Sequence, residues 1–240
     1  MCSSDLSPVL LGFDVRRMTT GQIVADKAAR NGGKVFLTYT PDGRTFTYDD
    51  VHRISNQVGN GLLKHGIQHG EKVGVLLENC PEQVLLYCGL GKIGAVAAPV
   101  NTAARGLLLQ YFLDHSDSVA LVTSFDLLDR FVPVRGELPK IRRVYLVSPT
   151  ADELAQAAQM LAPLPVHDFG AFASEPDMVP PIEVSFRDPA FIFYTSGTTG
   201  PSKGILYTHA KTWQGVLGNM ETYGHRETDV IYVCLQIGRA

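Results

Sequence analysis

Between residues 72 and 147 short apolar runs alternate with segments of helical period, and this alternation restricts the fold more than any other feature of the chain. Residues 72–77, 95–100, 119–123 and 144–147 have the length and composition of strands buried on both faces. Between them, residues 81–93, 107–113 and 125–131 place apolar side chains three and four apart, with Pro81 suited to a first helical turn. Gly89 and Gly91 weaken the second half of the first of these helices. Strands joined through helices pair in parallel, and a parallel sheet is covered on both faces. The expectation is an α/β fold, a layered α/β/α domain.

The flanking segments extend this scaffold. A helix is expected from Thr20, with Ile23, Val24 and Ala28 on one face, ending near Asn31-Gly32-Gly33. Residues 34–40 and 45–47 read as a hairpin around Pro41-Asp42-Gly43. Thr47 caps the next helix with Asp50 in capping-box position; its apolar face is Val51, Ile54, Val58, Leu62 and Leu63, and Gly66 suits its end. Residues 152–161 form a further helix, and the proline-rich 163–181 read as a connecting loop. Near the end come a strand at 205–208, a helix from His209 with apolar positions Trp213, Val216, Leu217, Met220 and Tyr223 at helical spacing, of which Trp213 and Met220 read as core-facing, and a strand at 229–235.

Residues 190–206 carry the chemistry. A buried strand (Phe191, Ile192, Phe193, Tyr194) gives way to Thr195-Ser196-Gly197-Thr198-Thr199-Gly200, followed by Pro201, Ser202, Lys203 and Gly204 and a second apolar run. Glycines let the backbone approach a ligand closely, so that successive N–H groups converge into an anion nest. The hydroxyls of Thr195, Ser196, Thr198 and Thr199 add donors, and Lys203 adds a mobile point charge. A Gly/Ser/Thr turn between strands needs no such cation, so a polyphosphate is the expected ligand. The loop differs from that of P-loop NTPases, where Gly precedes and Ser or Thr follows the Lys; here Ser202 and Gly204 flank it.

Other features weigh less. His65 and His69 are flanked by Gly66 and Gly70 and read as solvated loop histidines, so no metal site is expected. His209, at a strand-to-helix junction, is either a capping or packing residue or one near the nucleotide. Asp188 suits a turn. Asn79, in Glu78-Asn79-Cys80-Pro81, suits a helix cap, although the end of a strand is also where open α/β sheets hold ligands. The net charge of −3 with interspersed signs leaves no footprint for nucleic acid. The four scattered cysteines fit reduced thiols, no transmembrane segment or secretory signal is legible, and a cytoplasmic location is expected.

The stretch Tyr194-Thr195-Ser196-Gly197-Thr198-Thr199-Gly200-Pro201-Ser202-Lys203-Gly204 resembles the signature of the AMP-forming adenylating enzymes: acyl-CoA synthetases, peptide-synthetase adenylation domains and luciferases. The segment 46–73 resembles the early region of the same family and 90–101 its early helix-to-strand segment, with wording closer to acyl-CoA synthetases. The resemblance covers residues 20–235 and implies their large N-terminal α/β/α domain, incomplete here. It implies ATP-dependent activation of a small-molecule carboxylate to an acyl-adenylate, with Mg²⁺, and transfer to coenzyme A, as in fatty acid metabolism. By that resemblance Thr195, Ser196, Gly197, Thr198, Thr199, Gly200, Lys203 and His209 bind the nucleotide, and Thr199 and Lys203 assist the chemistry. The alternatives are an inactive or merely phosphate-binding fragment and part of a peptide-synthetase adenylation domain.

Family members continue into an acyl-pocket segment, an adenine-site Tyr-x-x-Thr-Glu motif whose Glu helps hold Mg²⁺, a ribose-binding Asp and a small domain with a catalytic Lys. Residues 236–240 depart from that pattern and are expected to be a truncation tail, with the C-terminal domain absent. Residues 1–19 are expected to be a tail, partly foreign to the natural protein. Residues 2–5 and 237–240 can be encoded by the two strands of one DNA segment, as a shared synthetic sequence would be.

Overall fold

The computed structural model describes residues 9–10, 13–195, 202–226 and 228–233. Its helices and strands follow in order β1 (Val9–Leu10), β2 (Phe13–Asp14), α1 (Thr20–Asn31), β3 (Val35–Tyr39), β4 (Arg44–Thr47), α2 (Tyr48–Lys64), β5 (Lys72–Leu76), α3 (Pro81–Lys92), β6 (Val96–Pro99), α4 (Leu107–His115), β7 (Ser118–Thr123), α5 (Leu128–Phe131), β8 (Val144–Leu146), α6 (Ala151–Leu161), β9 (Val166–Asp168), β10 (Pro189–Thr195), β11 (Lys203–Thr208) and α7 (His209–Tyr223). Seven strands form the main sheet in the order β11-β10-β6-β5-β7-β8-β9. All its pairings are parallel except β10 with β11. β1–β2 and β3–β4 are separate antiparallel pairs.

Strand side chains alternate between faces, and here each face has its own apolar core. Val73, Val75, Ala97, Ala120, Val122 and Tyr145 join Val58 and Leu62 of α2 and Leu86 and Leu90 of α3. Leu76, Val96, Ala98, Leu121, Val144 and Leu146 join Leu109 and Leu113 of α4, Phe131 of α5 and Leu161 of α6. Each such leucine, removed from water, contributes about 1.5–3 kcal/mol. Exposed ion pairs such as Arg105–Asp129 add little, so two-sided packing sets the architecture. β6 lies on one side of β5 and β7 on the other, so the strand order reverses there, and α3 covers one face while α4 to α6 cover the other.

Several expectations are corrected. Residues 163–181 contain β9 and a 3₁₀ helix, Phe169–Ser174, rather than a bare connecting loop. Amides of α2 hold the backbone of its end and of the residues beyond it: Asn56 Nδ2 donates to Asp177 O (2.7 Å), Gln57 Nε2 to Ala173 O (2.7 Å) and Asn60 Nδ2 to Met178 O (2.8 Å). The capping box of Thr47 and Asp50 is present, but α3 is capped by Cys80, without a side-chain bond, rather than by Asn79. Residues 229–233 form no strand, because no described strand offers them a ladder, and Val230 to Val233 are exposed. On α7, Met220 is exposed rather than core-facing and Trp213 is half-buried; Val216 and Tyr223 are exposed as well and Leu217 is half-buried. His65 is not a solvated loop residue: it stacks on Tyr145 and lies against His167 and Phe172.

α1 packs against α2 and α3 at a point of close approach. A Cβ at Gly91 would lie 2.7 Å from Thr20 Cβ, which cannot swing away as the tip of a long side chain can. Gly91→Ala is therefore expected to push α1 off α3 and to cost about 1–3 kcal/mol, read as a lower midpoint in urea denaturation at an unchanged slope.

Candidate functional site

β10 and β11 are a hairpin, with Tyr194 opposite Gly204 and Thr195 opposite Lys203. The intervening Ser196, Gly197, Thr198, Thr199 and Gly200, with Pro201, lie outside the described residues. β10 runs parallel to β6 with Phe191 beside Ala97, so the hairpin's turn leaves the sheet at its carboxyl end, where open α/β sheets hold ligands. Directly opposed residues point to one face, so Thr195 and Lys203 project together from the two mouths of the turn. Lys203 is exposed, and among the described residues no carboxylate lies within ion-pair distance of it. Its charge is free for an anion.

Both mouths are tied to α4. Tyr111 Oη donates to Ser202 O at 2.7 Å, fixing the outgoing side. On the incoming side Tyr194 Oη donates to Phe112 O (3.1 Å) and meets His115 Nδ1 (3.1 Å). Burial pushes the Tyr194 phenol up to about 12, so it remains a neutral donor. A Cβ at Gly204 would lie 3.2 Å from Ile192 Cγ2 and 3.4 Å from Tyr194 Cε1, so a side chain there would press β11 away from this support. The sequence places Tyr111 in the expected helix 107–113 and gives His115, just beyond it, no role. Their polar tips at one edge of an apolar stretch, at i and i+4, were the signal.

His209 sits at the other end of β11. Six residues of strand separate it from the Lys203 end, about 20 Å. It is fully buried; its N–H donates to Asp188 O (3.0 Å), and its Nδ1 accepts from Thr20 N (3.3 Å) beside Thr20 Oγ1 (3.1 Å). That leaves the proton on Nε2, which has no partner among the described residues. Asp188 also holds the Ser185 N–H (2.8 Å) and His69 Nε2 (2.9 Å), so it makes a turn and links two more segments. The structure thus brings Thr195 and Lys203 together and places His209 at the opposite end of β11, the amino end of the sheet.

With its fold and the position of its loop, the chain defines an α/β domain built to present a Gly/Thr-rich turn at the sheet's carboxyl end. The model of the family described as AMP-binding enzyme matches residues 24–238, and the chain belongs to that family. A medium/long-chain-fatty-acid–CoA ligase of Mycobacterium tuberculosis is 29% identical over 95% of this chain and 36% of its own length. A long-chain fatty acid transport protein 6 of Mus musculus is 29% identical over 85% of this chain and 32% of its own. Among solved structures, an anthranilate CoA ligase in complex with anthranoyl-AMP superposes with a TM-score of 0.71 at 26% identity, covering 88% of this chain and 37% of that one. The chain thus spans about a third of the length of these relatives, and its fold is that of their N-terminal domain. Among the described residues no helix is long and apolar enough to cross a membrane.

Two outcomes test this geometry. Tyr111→Phe removes the bond to Ser202 O and is expected to weaken triphosphate binding several-fold, about 1 kcal/mol, in an ATP titration, with thermal stability nearly unchanged. Burial holds the His209 imidazole down to about 4, against about 6.5 in an unfolded chain. The unfolded state then binds the extra proton, so this contribution is complete above pH 6.5 and about 3 kcal/mol of it is lost as pH falls to 4. His209→Asn, whose amide oxygen can replace Nδ1, is expected to flatten the fall of the urea midpoint between pH 6.5 and 4.

Proposed function

We propose that this chain is the polyphosphate-holding part of an AMP-forming acid–thiol ligase that activates a carboxylic acid and passes it to coenzyme A. The observation that carries the reading is the segment Tyr194 to Gly204, set as a hairpin turn at the carboxyl end of the sheet with Lys203 opposite Thr195. Thr195, Ser196, Gly197, Thr198, Thr199 and Gly200 receive the β- and γ-phosphates of ATP through N–H groups and hydroxyls. A carboxylate oxygen of the acid attacks the α-phosphorus as the bond to pyrophosphate breaks, giving the acyl-adenylate. Charge gathers on the leaving pyrophosphate, and Lys203 with the Thr199 hydroxyl offsets it there. Such a step needs positioning and fixed charge more than covalent chemistry from the protein. His209 serves at a distance, by fixing the far end of β11 to the start of α1. Among the described residues no group of His, Cys, Asp and Glu side chains could hold a metal ion, and no step is assigned to Mg²⁺ on this chain.

ATP–pyrophosphate exchange tests the reading, run on a protein carrying this chain at the full length of its relatives. Lys203→Ala is expected to slow exchange by about a hundredfold and Thr199→Ala by about tenfold, without loss of fold. Exchange at the parent rate in both variants would reject the loop assignment. A second reading, favoured by the chain's span of a third of its relatives, is that residues 1–240 alone bind triphosphate without turnover. Formation of acyl-adenylate by the isolated chain excludes it.

A further inference from the structure

At the amino end of the sheet, away from the hairpin turn, lies a cavity of about 260 Å³ lined by Thr19, Gly21, Gln22 and Ala25 of α1 and its cap, His52 of α2, Gly91 and Lys92 of α3, and residues of the 179–184 stretch. Lys92 is 4% exposed. Its Nζ donates to His52 O (2.8 Å), Asn56 Oδ1 (2.5 Å) and His52 Nδ1 (3.2 Å), all neutral acceptors. Among the described residues no carboxylate lies within ion-pair distance of it. A buried cation without a counter-charge is costly, and a cavity beside it gives that charge a place to be met. Burial lowers its pKa to about 8, so it stays mostly protonated at neutral pH.

We propose that this cavity is a second binding site, for a small monocarboxylate with a short hydrocarbon tail. Lys92 supplies the field. An ammonium can only donate, so His52 Nδ1 accepts from it and the imidazole carries its proton on Nε2; His52 is itself part of the cavity lining. The positive end of the α1 dipole, at Thr19 to Gln22, adds to the same potential. Ala25, Val179, Ile182 and Val184, also on the lining, give apolar surface suited to a hydrocarbon tail. Glu183, also on the lining, opposes a second negative charge and favours a carboxylate over a phosphate. The site does not depend on the ligase reading, because it uses none of the hairpin-turn residues.

The probe is sodium butanoate, titrated into the chain with melting temperature as readout, against sodium chloride at equal ionic strength and against neutral butanamide. Saturable stabilisation by butanoate alone is expected. Lys92→Met keeps the stem and removes the charge; Ala25→Leu fills the cavity and leaves Lys92 and its three bonds in place. Each is expected to weaken binding by about tenfold, through loss of the field of the buried charge or of the room for the tail. Lys203→Ala is expected to leave it unchanged. Equal stabilisation by butanamide, none by butanoate, or binding that survives both Lys92→Met and Ala25→Leu while the variants remain folded overturns the proposal. Binding lost in Lys203→Ala instead assigns the carboxylate to the hairpin turn and overturns it equally.

Discussion

Burial of the parallel strands on both faces is the constraint on which everything else rests. β5, β6 and β7 have no solvent face, so each residue must fit one of two cores, and the single-residue alternation between them admits no slip in register. That rigidity makes the carboxyl end of the sheet a fixed platform. The β10–β11 hairpin is attached to it through the parallel pairing with β6 and through α4, whose Tyr111 and Phe112 backbone oxygen hold its two sides. Its described ends, Thr195 and Ser202, are held in place by the β10–β11 pairing and by α4.

The opposite end of the sheet is held differently, by polar groups reaching between segments distant in sequence. Thr20 meets His209, Asp188 meets His69, and the amides of α2 satisfy the backbone around Asp177. The first and the last are buried or half-buried, where leaving a partner unmade costs more than the bond itself contributes, while the His69–Asp188 contact is exposed. His65, His167, Tyr145 and Phe172 form a comparable group at the β8–β9 side, and burial lowers both histidines below the usual imidazole range. Acid therefore acts on this molecule through neutral, buried imidazoles as well as through carboxylates.

The α/β class was legible because two periodicities, 2.0 and 3.6, alternate in the sequence between residues 72 and 147, and the helix caps at Thr47 and Pro81 are local chemistry. What escaped depends on partners that no local pattern announces. β9 is three residues long and exists because β8 pairs with it. Residues 229–233 have the composition of a strand and are not one, because composition supplies no neighbour. At the site, the loop sequence was readable in itself, whereas its support by Tyr111 and the separation of His209 from Lys203 follow from the antiparallel course of β11.

Lys92 and Lys203 show how far environment separates two residues of one type. Lys203 stands at the end of an edge strand, exposed and without a counter-ion among the described residues, so its charge is already solvated and costs nothing to keep. Such a cation suits a ligand that arrives with several negative charges and leaves again. Lys92 is enclosed, with three neutral acceptors and no carboxylate within ion-pair distance, so its charge is retained against burial. Methionine could fill the same volume without that cost. A lysine there is consistent with α2 and α3 being clasped by its three bonds, and with a single negative charge entering the cavity beside it. The two positions lie at opposite ends of the strands and differ in surroundings, one in bulk water, the other buried beside an open-mouthed cavity of about 260 Å³.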